Sequence, residues 1–487
     1  MIDEDVYAAP PSLVIGTIDK FARLTWDDRP RRLFGLDDQG QRTASPPQLI
    51  IQDELHLISG PLGSLAGLLE PIIEDLCTDH RQSPPVRPKI VCSTATTRRY
   101  RDQILGLYGR TDVCLFPPPG LDASDSYFAR TDLEVPGKMY VGIHAAGFGS
   151  YQTEWVRALT AIVNAPKVLD GLAERDPWWT LLMFCNSLRD MGTAHTLINT
   201  DVLDYCVSYW QRKGIRIPEG KRYVSSAESV LELTGGLKRS EIKAALDSLS
   251  TSLESNQRTV DICLATNIIE VGVDIPRLSL MAVAGQPKTT AQYIQATGRV
   301  GRTTVKPGLV FTLYGPSKPR DRSHFEHFRA YHERLYAQVE PTSVTPFSPP
   351  ALDRFLHSVV IAYVRQTGTL DEIETPYPIP TEAINHAARI LRGRLKGVDV
   401  EELKSFEHRL AARVDEWSRW DRREWDKSPE GEIPLLRHAG RYATENAKTI
   451  SWSTMDSLRN VDAECHGAIS SAYLNHATEH RAEVQSE

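Results

Sequence analysis

The chain has 487 residues, 41% of them hydrophobic and 24% charged, with a formal net charge of −7. That length predicts two or three domains, and the composition supports full apolar cores, which argues against a disordered chain. No stretch approaches the roughly 18–20 consecutive apolar residues that cross a bilayer, the acidic opening MIDEDVYAAP is unlike a secretory signal, and an acidic chain must meet nucleic acid through a local basic face. Seven cysteines (Cys77, Cys92, Cys114, Cys185, Cys206, Cys263 and Cys465) are scattered without C-x-x-C spacing or a Cys/His pair at ligand distance. That pattern points to a reducing cytoplasm and away from a zinc site.

Short β-branched runs, each followed by a turn and a helical pattern, come in two groups. The first holds SLVIG (12–16), PQLIIQDE (47–54) and KIVCSTAT (89–96). A proline-rich passage, LFPPPGLDASDS (115–126), then breaks the periodicity. The second group holds TLLMFCNS (180–187), VDICLATN (260–267), LSLMAVAG (278–285) and GLVFTLYG (308–315). Near-continuous apolar strands alternating with helices predict buried parallel sheets of the α/β class, with ligands at the strand ends. After about residue 320 the strand signal stops. HFEHFRAYHERLYAQV (324–339) and LKSFEHRLAARVDEWSRWDRREW (403–425) carry apolar residues at helical spacing, so this part should be mostly helical. The expected division is 1–130, a linker or connecting helix over 131–165, a second α/β domain over 166–320 and a helical accessory region over 321–487.

The chemistry begins at QDELH. Asp53 and Glu54 follow an apolar strand directly, where an Asp can hold Mg²⁺ through water and a Glu can orient or deprotonate an attacking water. An acidic pair often just begins a loop, so the pair alone is weak evidence. The next strand ends in Ser93, Thr94 and Thr96, whose hydroxyls could bond a neighbouring acidic motif or simply cap a helix. In CLATNIIEVGVDIP (263–276), Gly272 allows close approach of a ligand and Asp274 could accept a ribose hydroxyl; a plain strand–loop–strand joint reads the same way. QYIQATGRVGR (292–302) follows. Its glycines suit a tight start to a helix, which would set Arg299 and Arg302 one turn apart on one face. Guanidinium groups so placed suit a triphosphate, and an arginine finger supplies about 10³–10⁵ in rate.

Taken in order, DELH, STAT, ATNIIEVGVDIP and QATGRVGR resemble the motifs of the superfamily 2 helicases, nucleic-acid-stimulated ATPases built from two RecA-like domains. GTIDKF (16–21) is similar to the first domain's strand-gripping motif. FCNS (184–187) and LTGGL (233–237) are similar to the second domain's backbone-contacting motifs. The resemblance spans about residues 12–315. FPPPGLDASDSYFAR (116–130), GQPKTTAQYIQATGRVGR (285–302) and KPRDRSHFEHFRAYHERLYAQVEPTSVTPF (318–347) further resemble the helicase component of the DISARM anti-phage defence systems. No cysteine cluster follows, unlike helicase relatives that end in a four-cysteine module.

The resemblance implies a partial RecA-like domain, a complete RecA-like helicase C-terminal domain and a helical C-terminal region. It implies ATP and Mg²⁺ as cofactors, with Asp53 as the metal residue. Asp53, Glu54, His56, Gln295, Arg299 and Arg302 would be catalytic, and Gly272, Asp274 and Gly298 would contact nucleotide. Thr17, Lys20, Asn186, Gly235 and Thr266 would track the phosphate backbone, and Ser93, Thr94 and Thr96 would couple the two. The partner would be DNA, with RNA left open, together with other defence-system subunits and no membrane.

A phosphate-cradling loop, G-x-x-x-x-G-K-[ST], is required upstream of the gripping motif. The G-K pairs Gly137-Lys138 and Gly220-Lys221 lack its hydroxyl residue and earlier glycine, and few residues precede SLVIG. The expectation is therefore a C-terminal portion of a larger helicase, from a truncated, split or mis-started gene, whose site a separate polypeptide carrying the first half of domain one would complete. The other reading is an ATP-independent nucleic-acid-binding or scaffold subunit. The segment from His324 to His332 and the Trp417, Trp420 and Trp425 group are candidates for a stacking surface or for ordinary helical packing.

Overall fold

The computed structural model describes residues 3–459 apart from 95–98, 119, 122–124, 126, 129, 133, 145, 148–149, 215–228, 256–257, 267–273, 304–305, 341–342, 396–399, 428–431 and 441–443. The chain forms two compact units. The first joins Met1–Thr94 and Arg99–Val113 to Thr342–Glu487, and the second joins Ala95–Arg98 to Cys114–Pro341.

In the first unit, β1 (Leu49–Gln52) and β2 (Lys89–Cys92) pair in parallel, with Leu49 opposite Lys89 and Gln52 opposite Cys92. Their side chains alternate. Ile50, Ile90 and Cys92 pack against the core that holds the helices Gly60–Leu76 and Tyr100–Tyr108. Leu49, Ile51 and Val91 point the other way and are 52%, 62% and 42% exposed. A parallel sheet is normally covered on both faces; among the described residues this one is covered on one. SLVIG, expected as a strand, is not one. Leu13, Val14 and Ile15 are exposed, and the chain enters a 3₁₀ helix at Ile18–Thr25. An extended run becomes a strand only when its amides and carbonyls find a ladder partner, and SLVIG has none among the described residues.

The second unit is a six-stranded, all-parallel sheet. Its strands are β3 (Met139–Ile143), β4 (Leu181–Cys185), β5 (Val230–Leu233), β6 (Ile262–Ala265), β7 (Leu280–Ala284) and β8 (Leu309–Leu313), in the order β3-β8-β7-β4-β6-β5. Every residue of β4, β6 and β7 is buried, as their unbroken apolar runs require. Leu182, Phe184, Met281 and Val283 face a core shared with Tyr293 and Ile294. Leu181, Met183, Cys185 and Leu280 face a core shared with the helices Tyr151–Asn164 and Leu188–Leu197. The segment 131–165, expected as linker or connecting helix, supplies the edge strand β3 and the helix Tyr151–Asn164. Neither β3 nor β5 stood out in the sequence, because edge strands are half exposed and Gly142 interrupts the first.

The chain beyond residue 342 belongs to the first unit. The helix Pro349–Thr367 is buried nearly all round, with Leu352, Phe355, Leu356, Val359, Ile361 and Val364 fully enclosed. It packs among Gly60–Leu76, Thr381–Leu395 and Val400–Trp420, as a helix with apolar residues on most of its faces must. A small parallel pair, β9 (Leu436–His438) and β10 (Trp452–Thr454), closes this core. The tryptophans are part of it. Trp417 and Trp425 are 2% and 4% exposed, and ring centroids lie 5.7 Å apart for Trp417–Trp425 and 5.1 Å for Trp420–Trp452. They pack; they are not a stacking surface.

Candidate functional site

In the first unit the acidic motif sits where β1 ends. Ser93 N donates to Gln52 O (2.9 Å) and Leu55 N to Ser93 O (2.9 Å), carrying the ladder one step past the strands. This brings the two strand ends, and hence the two motifs, side by side. Asp53 Oδ1 accepts from its neighbour's amide, Glu54 N (2.9 Å), and from the Ser93 hydroxyl in a short bond. Its other oxygen has no partner among the described residues and stands in an exposed position, which suits a hard cation that prefers carboxylate and water oxygens.

Glu54 adopts φ 50° and ψ 49°, a left-handed conformation that costs a non-glycine residue about 1–2 kcal/mol. The turn it makes sets Glu54 Oε2 3.4 Å from His56 Nδ1, and Thr94 Oγ1 lies 3.3 Å from the same nitrogen. Burial lowers the His56 pKa below its ordinary value, against the raising effect of Glu54 and Asp53, so the ring is neutral near pH 7. Ser93 and Thr94 thus contact Asp53 and His56 directly; Thr96 lies outside the described residues. Sequence reading missed Gln103. It is 5% exposed on the helix Tyr100–Tyr108, and its Nε2 donates to Leu55 O and Ile58 O, each at 2.9 Å, bracing the turn from beneath. A glutamine at an inward position of an amphipathic helix was the available signal.

Thr17 and Lys20 are exposed at the start of the 3₁₀ helix, with Lys20 N bonded to Thr17 O (3.0 Å). Between them Asp19 turns inward. It accepts from Ser457 Oγ (2.9 Å) and Arg459 N (3.1 Å), so the end of the described chain pins this motif.

In the second unit Asn186, Gly235 and Thr266 stand just beyond the C-terminal ends of β4, β5 and β6, three neighbouring strands. Asn186 Nδ2 donates to Ala284 O (2.9 Å) and Gly285 O (3.2 Å), while its buried Oδ1 has no partner among the described residues. Gly235 lies in an exposed turn with open space around it, and Thr266 N donates to Leu233 O (3.3 Å). Gly272 lies outside the described residues.

The arginine motif corrects one expectation. The helix Thr290–Thr297 ends before the arginines, and Gly298 closes it instead of opening one. Arg299 is 8% exposed whereas Arg302 is exposed, so the two do not share a helical face. The turn follows from Gly301, whose φ of +63° lets its backbone pass so close to Gly308 that a Cβ would lie 2.2 Å from that amide nitrogen. Arg302 Nε donates to Gly298 O (3.1 Å), and its Nη1 lies 2.8 Å from Asp274 Oδ1. Asp274 and Arg302, taken as separate contacts from sequence, form an ion pair. Gln295 is buried, with Nε2 unpaired among the described residues.

A segment following β8 holds this helix. Glu340 accepts from Thr290 N (3.0 and 2.9 Å), Tyr331 OH donates to Thr290 Oγ1 (3.1 Å), and Tyr293 OH lies 3.0 Å from His332 Nε2. His332 Nδ1 meets Phe328 O (2.8 Å), so Nδ1 carries the proton and Nε2 accepts from Tyr293. Burial lowers the pKa of both His324 and His332. Of the histidine segment, His324 and His332 are half-buried packing residues and His327 is exposed.

A parallel sheet with polar residues at its strand ends places a ligand there, as in other open α/β folds. The helicase conserved C-terminal domain family matches residues 199–304, and a solved DUF1998 helicase, MrfA, bound to DNA and AMPPNP, superposes over 74% of this chain and 42% of its own with a TM-score of 0.50 at 18% identity. Nucleolar RNA helicase 2-A of Xenopus laevis is 30% identical over 163 residues, 33% of this chain and 18% of that protein. The chain is similar to superfamily 2 helicases. More particularly, it is related to the DISARM protein DrmA of Bacillus paralicheniformis, with 34% identity over 95% of this chain. It spans 44% of that relative's length.

Proposed function

We propose that this chain is the C-terminal portion of an ATP-dependent nucleic-acid helicase or translocase acting in the cytoplasm in DISARM-type anti-phage defence. The observation that carries the reading is the direct bonding of the STAT segment to the acidic motif, Ser93 to Asp53 and Thr94 to His56. Such a link lets a change at the nucleotide site move the neighbouring strand end. Asp53 would hold Mg²⁺ through its exposed oxygen, which would neutralise phosphate charge. Glu54 would orient the attacking water, and Arg299 and Arg302 would meet the γ-phosphoryl group with Gln295 beside them. Thr17, Lys20, Asn186, Gly235 and Thr266 would follow a nucleic-acid backbone, DNA in the first instance.

The phosphate loop that this chemistry requires would come from a further polypeptide segment that completes the half-covered β1–β2 sheet. Other defence-system subunits would assemble with the whole. The test is DNA-stimulated ATP hydrolysis by the chain alone and together with the product of the adjoining upstream gene. Hydrolysis only by the pair is the expected result. Hydrolysis by the chain alone sinks the shared site, and DNA binding without hydrolysis by either preparation establishes the scaffold reading.

A further inference from the structure

The pair Gly137-Lys138, passed over as a phosphate loop, has a second use. Lys138 immediately precedes β3, and its ammonium Nζ donates to Thr297 O at 2.5 Å. Thr297 is the last residue of the helix that leads into the arginine turn. The last carbonyls of a helix lack intrahelical partners and carry the negative end of its dipole, so a cation there satisfies both needs. Two residues on, Tyr140 OH lies 3.3 Å from Thr297 Oγ1. The lysine stem is packed as well, since a Cβ on Gly308 would sit 3.1 Å from Lys138 Cε. Gly308 is the same residue beside which Gly301 passes. Strand β3, the end of the helix and the arginine turn therefore meet at one point. Burial, with Arg302 nearby, depresses the Lys138 pKa to about 8. A lysine held next to a like charge against its preference is being used for its bond.

We propose that Lys138 is a positioning residue that fixes the C-terminal end of the helix Thr290–Thr297 and so aims the turn carrying Arg299 and Arg302. The inference rests on the proposed role of that turn, but its primary test does not. In hydrogen–deuterium exchange of the full chain, the amides to follow are Gly298, Arg299 and Gly301, bonded to Ile294 O, Ala296 O and Leu278 O. Lys138→Met should speed their exchange by about ten- to a hundredfold, the range expected for losing a charge-assisted bond. Lys138→Arg, which keeps a donor cation, should restore them to within about threefold. Amides of β4 and β7 should not change in either variant.

Unchanged exchange at the turn in Lys138→Met overturns the proposal. So does a loss of protection that spreads equally through β4 and β7 in both variants, which would make Lys138 a general structural lysine. In a preparation that hydrolyses ATP, Lys138→Met should lower kcat at least about tenfold with KM for ATP within about threefold, and Lys138→Arg should recover kcat. A wild-type chain that neither binds DNA nor supports hydrolysis refutes the proposed function while leaving the exchange result to stand or fall on its own.

Discussion

Glu54 shows how a single residue can set stability against chemistry. Its backbone is left-handed, a conformation that glycine adopts without the steric cost borne by other residues. Its side chain lies 3.4 Å from His56 Nδ1, a ring kept neutral by burial, so little ion pairing is at stake. Glu54→Gly should therefore raise the unfolding free energy of the first unit by up to about 1 kcal/mol. On the proposed function it should also lower nucleic-acid-stimulated ATP hydrolysis about a hundredfold in the competent preparation, because the group proposed to orient water is gone. Urea titration and a steady-state rate on the same sample check both halves. A residue that strains the backbone and is retained for its carboxylate should behave in this way.

At the scale of elements, two side chains join segments distant in sequence. Asp321 is 2% exposed and accepts from Gln286 N (2.9 Å) beyond β7 and Gly315 N (2.8 Å) beyond β8. It thereby ties the segment after β8 to two strand ends. Asp321→Ala leaves two buried amides unsatisfied and should cost the second unit about 2–5 kcal/mol, read as a lower denaturation midpoint at unchanged m-value.

In the first unit His357, on the helix Pro349–Thr367, reaches β10, where its Nε2 lies 3.2 Å from Ser453 O. Burial, reinforced by the Arg413 charge, lowers its pKa to about 3. Above pH 6.5 the ring is neutral folded or unfolded, and its contribution is complete. As pH falls below 6.5 the unfolded chain takes up a proton that the folded chain refuses, so stability drops by about 1.4 kcal/mol per pH unit down to about pH 3. His357→Gln should remove one proton's worth of that slope. Urea midpoints between pH 7 and pH 4.5 measure it.

At the scale of the whole molecule, the feature that stands out is a sheet with one face bare among the described residues. Leu49, Ile51 and Val91 are too exposed to stabilise this chain much, so changing all three to Thr should alter its own unfolding free energy by less than about 1.5 kcal/mol. If a further polypeptide segment covers that face, as the proposed function requires, the same triple variant should weaken co-purification with it at least about tenfold. Equal recovery of the partner by wild type and variant would show that this face is not where completion occurs. Among the described residues, no helix is long and apolar enough to cross a membrane.

Much of this protein is legible in its sequence. The unbroken apolar runs of β4, β6, β7 and β8 announce a buried parallel sheet, because only strands covered on both faces tolerate such runs. The order of DELH, STAT and QATGRVGR carries the resemblance to helicases, because such motifs are runs of neighbouring residues. Contacts between distant segments are not local. That Ser93 bonds Asp53, that Arg302 pairs with Asp274, that Gln103 bonds the turn after β1 and that Lys138 bonds Thr297 follows only from how strands and helices pack. The failure of SLVIG to form a strand has the same origin: its residues favour extension, but pairing depends on a neighbour, and only tertiary structure says whether one is there.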